Sequence, residues 1–505
     1  MPPDAATRLI CPLTASAVEN MRRDMELAFA AGATAVECRL DYLASPPTDE
    51  QIKWLLAGRA AETIVTCRPV REGGKFAGDE SRRLAILRKA AEMAPLAVDV
   101  EADVPRDQWP SGTVILSHHD LGGVPANLDA IARRLDNSPA AINKIAFTAA
   151  GPEDALRAFD VLRVCSKPTI ALAMGEAGVM SRILARKFVA WGTFASLAPG
   201  TESAPGQPTI AEFRDLYRWD TIGEDTSVYG VIGCPVAHSM SPAIHNAAFA
   251  AIGVDAVYVP LLIQPGADNF NRFMDALLAR PWMDLRGLSV TIPHKENALA
   301  FVGPATCEQH AREIGAVNTI TISAEGKLRG DNTDYAAAID ALCSAMGIAR
   351  DGLAGRKVAV LGAGGAARSI VAALAHYGAD VTIYNRTVAR GERLAEEFSC
   401  RAEPLDTVGE SDAEIIINCT PIGMHPKIDA SPLAAIPPAA KVVFDTIYNP
   451  VRTRLLQQAA AAGCLTVTGL EMFVNQAVSQ FEIWTGKPAP REVMRKVVVE
   501  RLGAF

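Results

Sequence analysis

The chain has 505 residues, 49% hydrophobic and 21% charged. That balance excludes a disordered polymer and suits about two to four domains, each with its own core. Its 57 acidic and 49 basic residues give a net charge of −8, spread without blocks, which offers nothing to a nucleic acid or an anionic membrane.

The opening "MPPDAATRLICPL" shows no signal-peptide pattern and enters a strand at once. Up to about residue 200, short apolar runs alternate with stretches of helical period. The runs "LICPL" (9–13), "TAVECRLD" (34–41), "TIVTCR" (63–68), "PLAVDVE" (95–101), "TVILSHHD" (113–120), "INKIAFT" (142–148), "PTIALAM" (168–174) and "KFVAWGTF" (187–194) read as strands. Each but the last is followed by a helix pattern. Eight such units in that length predict a (β/α)8 barrel, an α/β fold, over residues 1–222.

Barrel enzymes place their chemistry at the C-terminal ends of the strands. There the sequence offers Glu37, Arg39, Arg68, Glu101, His119 and Asp120, with Arg182 and "SAPGQPTI" after the last two strands. Lys144 is the anomaly, an ammonium inside the sixth strand. A lysine in an apolar pocket titrates low enough to act as a neutral amine and to form a Schiff base with a ketone. The resulting iminium acidifies the neighbouring C–H, and a histidine on the adjacent strand could remove that proton and later protonate the leaving hydroxyl. His119 ends that strand, whereas His118 points the other way by alternation. The competing reading is a snorkelling lysine and a satisfied core histidine.

A polar stretch, "LYRWDTIGEDT", ends the barrel's last helix and places a boundary near 222–226. Beyond it "SVYGVIG", "AVYVPLL", "LRGLSVTIP" and "GAVNTITIS" predict a second α/β lobe over 226–334, completed by about 470–505. Between them, residues 335–469 read as an inserted Rossmann domain. "GAGGAAR" (362–368) lies between a β-branched strand and a helix start, where glycines let the backbone approach a pyrophosphate. At the end of the next strand stand Asn385, Arg386 and Thr387, with Arg390 close behind, where an NAD site would carry an acid. Arginine there suits a 2′-phosphate, so the expected cofactor is NADP(H). Lys295 follows a strand in "SVTIPHKE", and Asp334 opens a helix in "GDNTD". As a pair they could give and take the carbonyl-oxygen proton during hydride transfer. Alternatively Lys295 is a surface lysine, and Asp334 an N-cap competing with Asn332 and Thr333.

The ordered motifs "ECRLD", "RPVREGG", "SHHD", "INKIA", "GVMSR" and "SAPGQ" resemble type I 3-dehydroquinate dehydratase across the barrel. "HSMSP", "SVTIPHKE", "GAVNT", "GDNTD", "GAGGAAR", "NRT" and "GLEMFVNQA" resemble shikimate dehydrogenase. The whole chain resembles the plant-type fusion of the two. That resemblance implies Lys144 as the Schiff-base lysine, His119 as general acid/base, Glu72 as its support and Arg182 as the carboxylate holder. Glu37, Arg39, Arg68, Ser203 and Gln207 match substrate-binding positions. In the second half it implies Lys295 and Asp334 as the catalytic pair, with Ser239, Ser241, Thr291, Asn318, Tyr448 and Gln476 around the substrate. Gly362, Ala363, Gly364, Gly365, Ala366, Asn385, Arg386, Thr387, Arg390 and Gly469 match cofactor positions. Met240 stands where lysine is common between the serines, Ser289 where many bacterial dehydrogenases carry Asn, and "ASLAPGTE" departs from many single-domain dehydratases.

The expected activity is therefore dehydration of 3-dehydroquinate followed by NADPH-dependent reduction to shikimate. Its partners are small molecules, with no metal, nucleic acid or membrane. The rivals are a quinate dehydrogenase in the second half and a non-catalytic metabolite sensor. Ten cysteines without a C-x-x-C pair fit a reducing compartment, cytoplasmic or, if a leader was removed, plastid.

Overall fold

The computed structural model describes residues 7–237 and 239–503. The chain divides into two compact units, Met1–Val228 with Asp255–Gln264 and Arg272–Asp284, and the remainder.

In the first unit eight parallel strands follow one another: β1 (Arg8–Leu13), β2 (Ala35–Arg39), β3 (Thr63–Thr66), β4 (Ala97–Glu101), β5 (Val114–Asp120), β6 (Ile142–Thr148), β7 (Thr169–Met174) and β8 (Gly192–Phe194). Their order around the wall is β7-β6-β5-β4-β3-β2-β1-β8. The Trp191 amide donates to the Thr169 carbonyl at 2.9 Å and links the two ends of that order. The crossovers carry α1 (Val18–Ala31), α2 (Asp49–Leu56), α3 (Glu80–Ala91), α4 (Leu128–Asp136), α5 (Pro152–Val164) and α6 (Val179–Ile183).

Three expectations need correction. The β4–β5 connection forms only a 3-10 turn at Arg106–Gln108, because Pro105, Pro110 and Gly112 interrupt any helical run. The eighth strand keeps only its last residues, since Val189 turns the chain at φ 52° within the span read as strand. The barrel's last helix is a single π turn at Glu212–Leu216.

The barrel interior is layered by the period of two. Ile10, Ala35, Ile64, Ala97, Ile115, Ile142 and Ile170 pack into one apolar cluster with Phe194. Two residues further along their strands stand Glu37, Thr66, Asp99, Ser117 and Lys144, all buried. Two further still come Arg68, Glu101 and His119. The apolar layer seals one end, so every polar inward position falls toward the other. Alternation also turns Asn143 outward, where its amide donates to Asp136 at the end of α4 (3.0 Å) and to Thr169 Oγ1 (3.2 Å).

The later part of the chain contributes a five-stranded sheet of β9 (Ser227–Gly233), β10 (Ala256–Leu262), β11 (Leu285–Val290), β12 (Thr319–Ile322) and β13 (Leu328–Asp331), in the order β10-β9-β11-β12-β13. Its helices are α7 (Ser241–Ala251), α8 (Ala267–Leu278), α9 (Lys295–Val302), α10 (Gln309–Ile314) and α11 (Thr333–Met346). A second sheet follows, of β14 (Lys357–Leu361), β15 (Asp380–Asn385), β16 (Arg401–Pro404), β17 (Ile415–Asn418), β18 (Val442–Asp445) and β19 (Leu465–Val467). Its order, β16-β15-β14-β17-β18-β19, is the doubly wound dinucleotide-binding arrangement. Helices α12 (Gly365–His376), α13 (Val388–Glu397) and α14 (Arg454–Ala461) flank it, and α15 (Gly469–Thr485) and α16 (Arg491–Arg501) return to pack on α11 and α7. Two strands were not anticipated. Both β13 and β16 lie at sheet edges, where only partial burial leaves no apolar run to read.

Candidate active sites

A cavity of about 210 Å³ opens at the C-terminal ends of the barrel strands, and Lys144 lies at its base. Lys144 Nζ is 2.9 Å from Asp99 Oδ2 and 3.2 Å from Glu37 Oε1, with the Phe194 ring centroid 4.7 Å away. The expected apolar pocket is thus corrected. The ammonium is charge-paired, because β2 and β4 place carboxylates on the same interior layer.

Asp99, which sequence reasoning missed, is fully buried. It takes an ion pair from Arg68 Nη2 at 2.7 Å and a hydrogen bond from Ser117 Oγ at 2.6 Å. Burial alone would raise its carboxyl, but Arg68 and Lys144 hold it far below the usual carboxylate range. Arg68 Nη1 also donates to Glu101 Oε1 at 2.8 Å and to Ser117 Oγ at 2.7 Å. Glu101 therefore sits behind Arg68 and does not line the cavity. Asp120 does not line it either; it accepts from the Gly122 amide at 2.8 Å.

His119 faces the cavity and its Nδ1 lies 2.9 Å from Glu72 Oε2. Burial, with the Arg68 and Lys144 charges, pushes the imidazole well below its ordinary value. Burial pushes Glu72 up to about 7, against the pull of Arg68. His118, one residue earlier, is absent from the cavity lining. Arg39 forms a two-ended pair with Asp41, at 2.9 and 2.8 Å, a partner the sequence reading did not name.

Arg182, on the short helix α6, reaches the cavity at 2% exposure. Among the described residues it forms no ion pair, its Nε has no hydrogen-bond partner, and burial lowers it to about 10. Opposite charge is missing where the fold has buried a guanidinium beside open space, which suits an incoming carboxylate. Ser203 and Gln207 line the same cavity, and the Ser203 amide donates to Gln207 Oε1 at 3.0 Å.

In the second unit Lys295 Nζ donates directly to Asp334 Oδ2. Asn332 resolves the competition for the helix start. Its Oδ1 accepts from the Asp334 and Tyr335 amides at 3.1 and 3.3 Å, so it caps α11 and leaves the Asp334 carboxylate to Lys295. Asn318 is buried beside it. Its Oδ1 accepts from the Thr333 amide at 2.8 Å and its Nδ2 donates to Thr333 Oγ1 at 2.9 Å. Ser241 starts α7, its amide donating to Ser239 Oγ at 3.2 Å. The Thr291 amide donates to Ile232 O at 2.9 Å, placing Thr291 where β11 ends. Tyr448 stacks on Phe473 with centroids 4.4 Å apart, and Gln476 Nε2 donates to Phe473 O at 3.0 Å. Ser289 turns to Gln480 Oε1 at 2.7 Å.

The glycine turn adjoins this pair. Gly362 has φ 105°, which favours glycine, and Ala363, Gly364, Gly365 and Ala366 carry the chain into α12. A β-carbon at Gly364 would meet nothing within 4 Å, and one at Gly365 would stand 3.7 Å from Lys295 Cδ. The turn therefore presents open backbone and the N-terminus of a 12-residue helix beside Lys295, a fit for a pyrophosphate. At the end of β15, Arg386 and Arg390 are exposed and form no ion pair among the described residues. Asn385 Nδ2 donates to Thr387 O at 2.8 Å and shapes that loop. Gly469 has a different constraint: a β-carbon there would lie 2.4 Å from the Thr446 carbonyl oxygen.

Models of known families match the chain in four consecutive segments. These are type I 3-dehydroquinase (residues 9–224), the shikimate dehydrogenase substrate binding domain (231–320), shikimate/quinate 5-dehydrogenase (345–446) and the shikimate 5′-dehydrogenase C-terminal domain (469–499). The bifunctional 3-dehydroquinate dehydratase/shikimate dehydrogenase, chloroplastic, of Arabidopsis thaliana is 39% identical over 97% of this chain and 84% of its own length. The NADP(+) shikimate dehydrogenase of Methanosarcina acetivorans is 42% identical over 55% of this chain and 99% of its own. A crystal structure of a shikimate dehydrogenase in complex with NADP+ aligns at 36% identity and a TM-score of 0.51, over 56% of this chain and 97% of that one.

Proposed function

The chain belongs to the family of bifunctional 3-dehydroquinate dehydratase/shikimate dehydrogenases, and on that premise we propose how its side chains share the two reactions. The protein is a lyase and an NADP-dependent oxidoreductase of the shikimate pathway, acting through a Schiff base in its type I half. The observation that carries the residue assignment is the convergence of Lys144, His119 and the unpaired Arg182 on one cavity.

In the barrel, Arg182 binds the substrate carboxylate, with Ser203 and Gln207 beside it. The Lys144 amine, once its proton has left, attacks the ketone carbon; water leaves and an iminium forms. His119, its Nδ1 tied to Glu72, takes the proton from the carbon next to the iminium. The same imidazole returns that proton to the departing hydroxyl, so a second water leaves. Water then hydrolyses the iminium, releasing the enone and regenerating Lys144. Glu37 and Asp99 keep the cationic nitrogen compensated throughout, and Arg39 and Arg68 complete the binding wall.

In the second half, Gly362–Gly365 and α12 would hold the pyrophosphate, and Arg386 and Arg390 would hold the 2′-phosphate. NADPH, when bound, supplies the hydride. Lys295 polarises the carbonyl oxygen and gives it a proton, while Asp334 holds the ammonium in place. Ser239, Ser241, Thr291, Asn318, Tyr448 and Gln476 surround the acid and its hydroxyls.

The domain limits of this reading are 1–222, 226–334 with 470–505, and 335–469. Among the described residues no helix is long and apolar enough to cross a membrane. Ten free cysteines favour a reducing compartment, cytosol or plastid. Incubation with dehydroquinate and NADPH should consume NADPH and yield shikimate. Quinate with NADP+ should give little turnover by comparison, and the reverse preference would overturn the shikimate assignment.

A further inference from the structure

Arg83 is an unused charge. It sits on α3, outside the strand layer, yet it is fully buried. Its Nη2 pairs with Glu101 Oε2 at 2.6 Å, its Nη1 donates to the Cys67 carbonyl at 2.9 Å, and its Nε donates to Glu80 Oε2 at 2.9 Å. Glu101 presents its other oxygen to Arg68 at 2.8 Å, Arg68 pairs with Asp99 at 2.7 Å, and Asp99 pairs with Lys144 at 2.9 Å. Charge alternates at every step, from half-exposed Glu80 on α3 to the amine at the cavity base.

We propose that Arg83 is a positioning residue of the dehydratase, acting through Glu101, Arg68 and Asp99 to set how firmly Lys144 keeps its proton. This rests on the reading of Lys144 as the Schiff-base lysine. Glu101 divides its two oxygens between Arg83 and Arg68. Without Arg83 the full carboxylate charge draws on Arg68, Arg68 compensates Asp99 less, and Asp99 holds the Lys144 ammonium more tightly. The other charged or titratable groups lining the cavity with Lys144 are Glu37, Arg39, Arg68, Glu72, His119 and Arg182; Phe194 covers the remaining side of the amine. None of these touches Arg83, whose own neighbours are Glu80, Glu101 and the Cys67 thiol. The direct ion-pair route from Arg83 to Lys144 runs through Glu101, Arg68 and Asp99, and Arg68 also acts on Glu37 and His119 beside the amine.

The test is borohydride trapping with dehydroshikimate across a pH series, read by the mass added at Lys144 in the full-length chain. Arg83→Met should raise the midpoint pH of trapping by about one unit, which at fixed pH below it is about a tenfold loss of reactive amine. Arg83→Lys, which keeps the charge, and Arg83→Met/Glu101→Gln, which removes both, should restore the midpoint. Glu101→Gln alone should lower it, and this readout stands even if Arg83→Met fails to fold. Reduction of dehydroshikimate by NADPH in the same chain should be unchanged in all four variants and reports that the second half is intact, while trapping that saturates at high pH reports that the barrel is. An unmoved midpoint in Arg83→Met or Glu101→Gln overturns the proposal. No trapping at Lys144 in the unsubstituted protein overturns the Schiff-base assignment as well, so the two failures are distinct.

Discussion

Glu72 Oε2 stands 2.9 Å from His119 Nδ1, and the two groups are shifted in opposite directions, the carboxyl up to about 7 and the imidazole well below its ordinary value. The dyad therefore holds its proton on Glu72 in acid, and only above about pH 7 does an ionised carboxylate face the imidazole. An ionised Glu72 accepts Nδ1–H and makes Nε2 the stronger base. Because the carboxyl value is raised, the competent form is gained as pH rises through about 7 and lost as it falls. Dehydratase kcat/KM should show an acid limb there. Glu72→Gln should remove that limb and lower the plateau about a hundredfold. A limb that persists in the variant would assign it to another group.

Arg182 should trade stability against binding. A buried guanidinium with no acid partner costs folding free energy, so Arg182→Met should leave the thermal midpoint equal to or above that of the unsubstituted protein. The same change should raise the dehydratase KM at least about a hundredfold, roughly 3 kcal/mol of lost charge pairing. A destabilised protein with normal KM would show that Arg182 serves the fold instead.

The nucleotide preference should rest on the loop after β15. Arg386→Ala with Arg390→Ala should weaken NADPH about tenfold to a hundredfold and leave NADH nearly unchanged, since charge-assisted bonds to the 2′-phosphate are worth about 1.5–3 kcal/mol. Equal loss with both nucleotides would assign the arginines to the loop's conformation.

The two activities should separate by single substitutions. Lys144→Ala should abolish trapping and dehydration while shikimate oxidation by NADP+ stays intact. Lys295→Met should do the reverse, lowering shikimate oxidation by about three orders of magnitude, the scale of a lost proton-transfer group. Measurement of both rates on each purified variant decides it.

The barrel strands were legible because each buried run has period two and each is bounded by turn residues. Lys144 was legible as a charge inside such a run. The same signal was present in "LAVDVE", where Asp99 and Glu101 alternate with valines, but it was read only at the strand end. Which carboxylate meets which cation was not legible, because that depends on the register between strands separated by dozens of residues. Arg83 was hidden more thoroughly. In "DESRRLAILRK" it looks like one of several arginines on a solvated helix face, and only the packing of α3 on the wall takes it inside. In the second half the glycine turn and "NRT" were local signals. The cap at Asn332 was undecided in sequence because Asn332, Thr333 and Asp334 all suit a helix start. Geometry separates them, since the side chain of Asn332 alone reaches the amides of Asp334 and Tyr335.

That division between Asn332 and Asp334 reaches beyond the site. A helix capped by a carboxylate loses part of its anchor whenever that carboxylate takes up a proton, as a group paired with a proton-donating lysine must risk in every catalytic cycle. Here the anchor of α11 is a neutral amide with no ionisable proton, and the acid stands two residues further on. The Lys295–Asp334 pair can serve the reaction while the first turn of the helix stays fastened by an uncharged group, so the chemistry is insulated from the scaffold that presents it.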